Sequence, residues 1–229
     1  MEIEQAELPM AAGPAVGGRR AAGRQDRRRR LLDSAEELFA NRGYFGVSVR
    51  EITDHAGTRL AAVSEEFEGK HELFRAVVLR RIRPLNEDRR QRLAARPAGG
   101  HRVGRLRALV EAFVEPMRER AGDPGWDNYF RLIAQQANAG QPIRVLFADD
   151  FNAIAAEFIA ALRTIFPDAT EAAIYDAYLH MVAASLHTYS NNLRMVSLSR
   201  GRIRGDDVDE RHRALVVFVT GGIAELVGG

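Results

Sequence analysis

The sequence contains no cysteine, which excludes disulfide scaffolds, thiolate metal sites and cysteine nucleophiles. It also lacks an apolar run of about 18 residues or more, so it predicts no membrane-spanning helix and no membrane partner. The first residues carry no basic segment followed by an apolar one, so no secretory signal peptide is predicted. We therefore expect a soluble cytoplasmic protein.

Motifs that carry catalysis are missing as well. The sequence has no nucleophile elbow, no H-E-x-x-H, no P-loop and no dinucleotide-binding glycine pattern. The adjacent Asp149 and Asp150 would point to different faces of a helix, which is poor geometry for a shared site. Asp176, His180 and His187 could share one helix face, but their spacing matches no zinc signature. We predict no enzyme, no metal and no cofactor.

Strand-like alternation is scarce, and helical periodicity dominates. No stretch shows the period-two alternation of a half-buried strand, and the short apolar run at residues 215–219, the one candidate, lies inside a helical pattern. Residues 1–24 are rich in Gly, Ala and Pro without any period, so we predict a disordered arm there. The rest predicts an all-α fold, with helices at 25–42, 48–56, 60–66, 71–96, 102–120, 126–138, 142–166, 168–199 and 206–227.

The stretch from residue 48 to residue 70 organises the chain. Ser48 and Glu51 have the spacing of a capping box, which begins a helix, and Gly57 permits a tight exit from that helix. After it, apolar residues recur with helical spacing at Leu60, Val63 and Phe67. Two short helices joined by a turn with glycine form a helix-turn-helix, whose second helix can lie in the DNA major groove.

These motifs resemble the TetR-type family of transcriptional regulators. The resemblance rests on LLDSAEELFANRGYFGVSVREI (residues 31–52), on His55-Ala56-Gly57, and on the F-x-x-K-x-x-L spacing of Phe67, Lys70 and Leu73, followed by Phe74. Beyond about residue 85 the chain resembles the family only in its helical layout and in its Pro84-Leu85-Asn86 break. The resemblance implies a helix-turn-helix DNA-binding domain at 25–70 and a helical ligand-binding and dimerisation domain at 71–229.

The positive charge is concentrated in the predicted DNA-binding domain, which we call the head, and in the residues next to it. Residues 19–83 carry fifteen basic and ten acidic side chains, whereas residues 84–229 carry eighteen of each. A basic arm of this kind commonly lies on DNA phosphates or in the minor groove. We expect contacts with double-stranded DNA from Arg27, Arg28, Arg29, Ser48, Arg50, Thr58, Arg59, Ala61, Ala62, Ser64 and Lys70.

The predicted recognition helix departs from the family pattern. Arg59 stands where members usually carry a Ser, Thr or Asn cap, and Ser64 stands where a Tyr is usual. Glu65, Glu66 and Glu68 follow; carboxylates repel phosphate, although they can read cytosine N4. The alternative is therefore a dimeric small-molecule-binding or protein-interaction module whose head has lost sequence-specific DNA binding.

The helical body has the apolar aromatic content that a ligand pocket requires. Candidate lining residues for a small hydrophobic effector are Phe113, Met117, Trp126, Phe130, Phe147, Phe151, Tyr178, Met181 and His187. The alternative is that these side chains fill an ordinary core.

The last two predicted helices carry small and apolar surfaces suited to self-association. The candidate interface residues are Ala183, Val216, Val217, Thr220, Gly221 and Ala224. Two helices from each of two chains would form a four-helix bundle, although the same faces could fill the core of one chain. A homodimer would read a palindromic operator. We therefore predict a ligand-responsive repressor that a small hydrophobic effector releases from DNA.

Overall fold

The protein is helical throughout the part of the chain that can be described. A computed structural model describes residues 16–137, 148–190, 193–204 and 207–228, and within these ranges it contains helices and no strand. The all-α prediction is confirmed. In these same ranges, none of the helices has both the length and the apolar character that crossing a membrane would require. The helices are α1 Val16–Arg42, α2 Val49–His55, α3 Ala61–Phe67, α4 Lys70–Ala95, α5 Arg102–Arg118, α6 Pro124–Ala137, α7 Ala148–Ile165, α8 Glu171–Tyr189, α9 Arg194–Leu198 and α10 Val208–Gly228.

The first helix is longer than the sequence predicted. It begins at Val16, so the prediction of a disordered arm is wrong for residues 16–24, while residues 1–15 lie outside the described residues. Alanine and arginine are good helix formers, and the Arg24 side chain is held by an ion pair with Glu66 on α3. Two consecutive glycines near the beginning of this helix concealed its extent in the sequence.

Helices α1, α2 and α3 form a small head that packs on the beginning of α4. Its core contains Leu31, Phe39, Ile52, Val63, Phe67 and Phe74, all of which are buried. The predicted capping box is present at Ser48 and Glu51. Gly57 has a φ of +59°, the left-handed conformation that lets α2 stop and the chain turn into α3.

Helix α4 connects the head with the body. It continues through Pro84 and packs against α1 and α3 on one side and against α5 and α7 farther along. In the body, α10 packs against α5 and α8, and α8 also contacts α6 and α7. The largest buried body side chains include Leu106, Leu109, Tyr129, Phe130 and Phe158.

The long helix predicted for residues 168–199 is interrupted. Helix α8 ends at Tyr189, the Ser190 hydroxyl donates to the carbonyl oxygen of His187 at 3.2 Å, and Leu193 has a φ of +53°. Serine and asparagine compete for backbone hydrogen bonds and so favour helix ends, and the intervening sequence is Ser190-Asn191-Asn192. A short α9 follows before α10.

Candidate functional site

Helix α3 and the residues just before it present one face to solvent and bury the other. The exposed residues are Arg59, Leu60, Ala61, Ser64, Glu65 and Glu68. The buried residues are Ala62, Val63, Glu66 and Phe67. Ala62 has no exposed surface, so its prediction as a DNA contact is wrong. Adjacent helical residues do not share a face, and Ala61 alone of the two alanines faces outward.

Glu66 is turned inward and holds the basic part of α1 against α3. Its side chain is 1% exposed, and its carboxylate accepts hydrogen bonds from Arg24 Nε at 3.0 Å and Arg27 Nη2 at 2.5 Å. Arg28 Nη1 donates to the Glu66 carbonyl oxygen at 2.7 Å, and its guanidinium lies 4.2 Å from the centre of the Phe67 ring. Arg27 and Arg28, predicted to contact DNA, are therefore occupied in positioning α3.

The environment of Glu66 keeps it ionised. Burial by itself would raise the pKa of Glu66, but the hydrogen bonds and charges of Arg27 and Arg24 outweigh burial and hold the pKa below its ordinary value. The negative charge is thus matched inside the head. Of the three glutamates in this stretch, Glu65 and Glu68 face solvent, and Glu65 is paired with Arg59 at 2.8 Å.

The beginning of α2 is fixed by reciprocal hydrogen bonds. The Ser48 hydroxyl accepts from the Glu51 backbone N–H at 3.2 Å, and the Glu51 carboxylate accepts from the Ser48 backbone N–H at 2.8 Å. The hydrogen bond from the Ser48 backbone, followed by those from its hydroxyl and from Arg42, lowers the pKa of Glu51 to about 2. Arg50 is exposed on the first turn and lies 3.9 Å from Asp54.

The remaining predicted DNA contacts lie at or near the surface of the head. Thr58 is half-buried, and its backbone N–H donates to the Thr53 carbonyl oxygen at 2.9 Å. Lys70 begins α4 with its Nζ 4.3 Å from the centre of the Tyr44 ring, and partial burial lowers its pKa. Arg29 is exposed, and it pairs with Asp26 at 2.7 Å.

Two apolar residues of the head are exposed: Phe45, which the sequence interpretation did not consider, and Leu60, which helical spacing had grouped with the buried Val63 and Phe67. Phe45 precedes α2 and Leu60 precedes α3, and both side chains are largely exposed. An apolar side chain at such a position can contact a thymine methyl group.

A cavity of about 290 Å³ lies in the body between α4, α5, α6, α7 and α8. Five of the predicted effector contacts line it, namely Phe113, Met117, Phe130, Phe151 and Tyr178. Its other lining residues are Ile82, Leu85, Arg89, Tyr129, Ile133, Gln136, Ala137, Asn152, Ile154, Val182, Ser185 and Leu186.

The other four predicted lining residues are not found in the cavity wall. Met181 is completely buried in the core beside it, and Trp126 packs behind Tyr129 and Phe130. His187 is exposed and borders a separate surface groove. Met181, Trp126 and His187 therefore lie outside this cavity wall, because the faces of their helices turn them elsewhere. Phe147 lies outside the described residues.

The sequence interpretation missed the charged group of the cavity, Arg89. Only 6% of this residue is exposed. Its Nε donates to the Phe113 carbonyl oxygen at 3.0 Å, its Nη1 to Asn86 Oδ1 at 3.1 Å and its Nη2 to Met117 Sδ at 3.3 Å. Burial lowers the pKa of Arg89 to about 10, so it stays protonated at neutral pH.

A sequence signal for Arg89 was available. Ile82, Leu85 and Arg89 stand at i, i+3 and i+7, so the arginine occupies a position in the apolar stripe of α4. Tyr129 precedes Phe130 on α6, and it is fully buried beside the cavity. Burial raises the pKa of both Tyr129 and Tyr178, so both hydroxyls remain hydrogen-bond donors.

Trp126 connects the cavity wall with the head. Its ring lies 5.7 Å from the Tyr129 ring and 5.9 Å from the Phe130 ring, centre to centre. The guanidinium carbons of Arg81 and Arg120 lie 5.1 Å and 4.9 Å from the centre of the Trp126 ring. Arg81 belongs to α4 and pairs with the buried Glu36 of α1, so the cavity wall and the head share a continuous chain of contacts.

Helices α8 and α10 expose a joint apolar face. Phe218 is 72% exposed and Val217, Leu179 and Tyr175 are also exposed. Of the predicted interface residues, Ala183, Val217 and Gly221 lie on exposed positions, and Ala224 is half-buried.

Val216 and Thr220 are buried within the chain, so their assignment to an intersubunit surface is wrong. With Ile223 and Val227 they form the inward stripe of α10, at i, i+4, i+7 and i+11.

Solved structures share this architecture. The TetR family regulator PfmR from Thermus thermophilus superposes with a TM-score of 0.56 at 19% identity, covering 83% of this chain and 94% of that one. The ketosteroid transcriptional regulator KstR2 of Mycobacterium tuberculosis superposes with a TM-score of 0.58 at 20% identity, covering 86% of this chain and 94% of that one. At these identities the likeness establishes the fold.

Sequence comparison identifies the family. The HTH-type transcriptional activator FasR of Mycolicibacterium smegmatis is 40% identical over 104 residues, and this match covers 44% of the chain and 46% of that relative. Residues 31–77 match the family model described as bacterial regulatory proteins, tetR family, and residues 111–222 match that described as tetracyclin repressor-like, C-terminal domain. With both its head and its body matched, the chain belongs to the TetR family of transcriptional regulators.

Proposed function

We propose that the protein is a dimeric DNA-binding regulator whose operator affinity is set by a small, largely apolar effector. The observation that carries the DNA-binding part is the orientation of α3. Its outer face presents Arg59, Ala61 and Ser64, while Glu66 is directed inward and neutralised by arginines of α1. Small side chains allow a recognition helix to approach base edges closely, and arginine is the commonest reader of guanine.

A second candidate function has an observation of its own. Glu65 and Glu68 remain exposed on α3, close in sequence to the exposed Leu60. An apolar and acidic surface also suits a protein partner, which would make the head an interaction module without sequence-specific DNA binding. Arg59 forms a surface ion pair with Glu65 and so neutralises its charge. Surface ion pairs contribute little to stability. Arg59 can therefore exchange Glu65 for a DNA phosphate or a base.

The apolar face of α8 and α10 supports the homodimer. Phe218 and Val217 on α10 and Leu179 on α8 are large apolar side chains that the single chain leaves exposed, and a second copy of the chain would cover them. A two-fold axis through this face joins two helices from each chain into a four-helix bundle. Two recognition helices then lie one helical turn of DNA apart, roughly 34–36 Å, and the operator is a near-palindrome.

The route from effector to DNA is supported by the contacts around Trp126. An effector in the cavity touches Tyr129 and Phe130, whose rings pack against Trp126. Trp126 lies under Arg81, which pairs with Glu36 on α1. The effector changes operator affinity to the extent that it binds the DNA-competent and DNA-incompetent arrangements with different affinities.

The test is selection of duplexes from a random DNA pool with the full-length protein. We expect an inverted repeat whose half-site centres are about 10 base pairs apart. Enrichment of a single half-site, or no enrichment above the starting pool, contradicts the dimeric DNA-binding function and favours the interaction module.

A promoter reporter that carries the selected site measures the sign of regulation. The sequence-based prediction is repression by occlusion of the promoter, whereas the relative FasR is named a transcriptional activator. Reporter output that falls when the protein is supplied supports repression, and output that rises assigns this chain to activation.

A further inference from the structure

The wall of the body cavity contains several hydrogen-bond donors beside the amide groups of Gln136 and Asn152. Arg89 is a buried cation in its wall, and Tyr129 and Tyr178 also line it. In the part of the chain that the structure describes, neither tyrosine hydroxyl makes a hydrogen bond to another residue. Both hydroxyls are kept protonated by burial, which raises the pKa of each. The cavity therefore offers a cation and two hydroxyl donors to its contents.

Among the residues that the structure describes, the charge of Arg89 has no anionic partner. Its contacts are the Phe113 carbonyl oxygen, the Asn86 amide oxygen, the Met117 sulfur and the face of the Phe113 ring, all of which are neutral. Across residues 16–137, 148–190, 193–204 and 207–228, no carboxylate forms an ion pair with it. A buried charge without an opposite charge is costly, and an anion bound in the cavity would offset that cost.

The guanidinium of Arg89 also retains free donors. Arginine has five N–H bonds, and the three hydrogen bonds above use one from each nitrogen. One N–H on each terminal nitrogen is left without an acceptor among the described residues. A carboxylate, with two oxygens, is the acceptor that matches two N–H groups of one guanidinium.

Most of the remaining wall is hydrocarbon, and Gln136, Asn152 and Ser185 are its further polar residues. Ile82, Leu85, Phe113, Phe130, Ile133 and Phe151 contribute apolar surface. The volume of about 290 Å³ stands near the lower end of the range for ligand pockets, roughly 300–1,000 Å³. A small molecule with one anionic end and a hydrocarbon body of moderate length fits both the chemistry and the size.

From this juxtaposition of a buried, unpaired guanidinium, two free phenol groups and apolar walls, we infer that the cavity binds a small hydrophobic carboxylic acid as its carboxylate, with Arg89 as the anion-binding residue. This inference rests on the proposed function in taking the cavity as the effector site. It narrows the effector from an apolar molecule to an amphiphilic anion. Tyr129 and Tyr178 supply further donors to the same carboxylate.

The test uses the single tryptophan of the chain. Trp126 packs against Tyr129 and Phe130, so its fluorescence reports occupation of the cavity. The full-length protein is titrated with decanoate, decanol and methyl decanoate, which share one chain and differ in the charge of the end group. We expect decanoate to bind about 10- to 100-fold more tightly than either neutral probe. The reason is that hydrogen bonds between Arg89 and a charged carboxylate contribute more to the binding free energy than hydrogen bonds to a neutral end group.

Two variants of neighbouring arginines separate a carboxylate site from a structural role. Arg89→Met removes the charge but keeps a long side chain, and Arg90→Met changes an arginine that pairs with Glu157 at 2.7 Å. We expect Arg89→Met to bind decanoate and decanol with equal affinity, and Arg90→Met to keep the wild-type preference. If Arg89→Met loses its folded circular dichroism spectrum, Arg89→Lys provides the test, because it keeps the charge and should keep the preference for decanoate.

The inference is overturned if the wild-type protein binds decanol and decanoate equally, or if Arg89→Met retains the preference. Its failure is distinguishable from failure of the proposed function. Arg89-dependent binding of decanoate without any operator binding by the protein would support the carboxylate site and contradict the regulator. Release of the operator by decanol but not by decanoate would support the regulator and contradict the carboxylate site.

Discussion

Glu36 of α1 and Arg81 of α4 form a two-point ion pair, with Arg81 Nε 2.9 Å from Glu36 Oε1 and Arg81 Nη2 2.8 Å from Glu36 Oε2. Arg80 also pairs with Glu36. Because the Arg81 guanidinium lies over Trp126, the pair joins the head to the wall of the body cavity. The hydrogen bonds that Arg81 donates to the Glu36 carboxylate outweigh burial and raise the pKa of Arg81.

Substitution of Glu36 tests this connection. Glu36→Gln leaves two arginines facing a neutral amide, and we expect unfolding free energy to fall by about 1.5–3 kcal/mol, the range for hydrogen bonds to charged groups. Thermal and urea unfolding measure the change. Asp33→Asn is the matched control, since Asp33 is an exposed partner of Arg80 and such pairs contribute little. Equal effects of the two substitutions would contradict a special role for Glu36.

The same variant should weaken the effector response. If the Glu36 pair transmits the state of the cavity to α1, Glu36→Gln bound to operator should need a higher effector concentration for release, while effector affinity of the free protein stays unchanged. An unaltered release curve in a folded Glu36→Gln protein would show that the signal travels through other contacts.

The ion pairs of Glu66 should make the stability of the head depend on pH. The pKa of Glu66 in the folded protein lies below its ordinary value of 4.5, so its contribution is fully present above that value. The contribution is lost as pH falls through the lowered pKa. We expect Glu66→Gln to destabilise the protein by about 1.5–3 kcal/mol at pH 7, and this difference from wild type to shrink below about pH 4.5.

Unfolding curves of wild type and Glu66→Gln at several pH values measure this difference. Glu68→Gln, an exposed neighbour at the end of α3, is the control and should match the wild type throughout. A Glu66 effect that is the same at pH 3 and pH 7 would mean that the carboxylate charge is not what holds α1 against α3.

Arg59 is a predicted DNA contact that lies at the surface beside α3. We expect Arg59→Ala to weaken operator binding by about 1–3 kcal/mol and to lower the salt dependence if a phosphate is its partner. Arg107→Ala, an exposed arginine on α5 of the body, should have no effect. Fluorescence anisotropy with the selected operator makes the comparison, and identical losses for both variants would rule out a specific contact.

The exposed apolar residues of α8 and α10 lead us to expect that the protein dimerises through these helices. Phe218→Glu places a charge at the centre of the proposed interface, and we expect the dimer to dissociate while the helical content of the chain is kept. Val103→Glu introduces the same charge at an exposed apolar residue of α5, and the molecular mass of the assembly should stay that of a dimer. Sedimentation analysis distinguishes the two; a dimeric Phe218→Glu protein would place the interface elsewhere.

The sequence predicted most of what local rules determine. The capping box at Ser48, the turn at Gly57 and the all-α class follow from hydrogen bonds and periodicity within short segments, and the structure contains them. The five predicted effector contacts that line the cavity are aromatic or apolar side chains on inward stripes, which helical spacing identifies. These features require no knowledge of how distant segments meet.

Features that depend on tertiary partners were not predictable in the same way. The acidic character of Glu66 suggested repulsion from DNA, because nothing local indicates that arginines some forty residues earlier approach it. The α1 extension depends on the same contact. Arg89 was not among the predicted cavity residues, which were chosen as aromatic, apolar or histidine side chains, although its place in the apolar stripe of α4 indicated burial.

Binding to DNA is the claim on which the account depends most. The decisive measurement is anisotropy of the full-length protein on a duplex from upstream of its own gene and on a scrambled duplex, each titrated with salt. We predict tight binding to the first duplex only, with an affinity that falls steeply as salt rises. Equal and weak binding to both duplexes would contradict the account and show that the exposed glutamates of α3 prevent sequence-specific recognition.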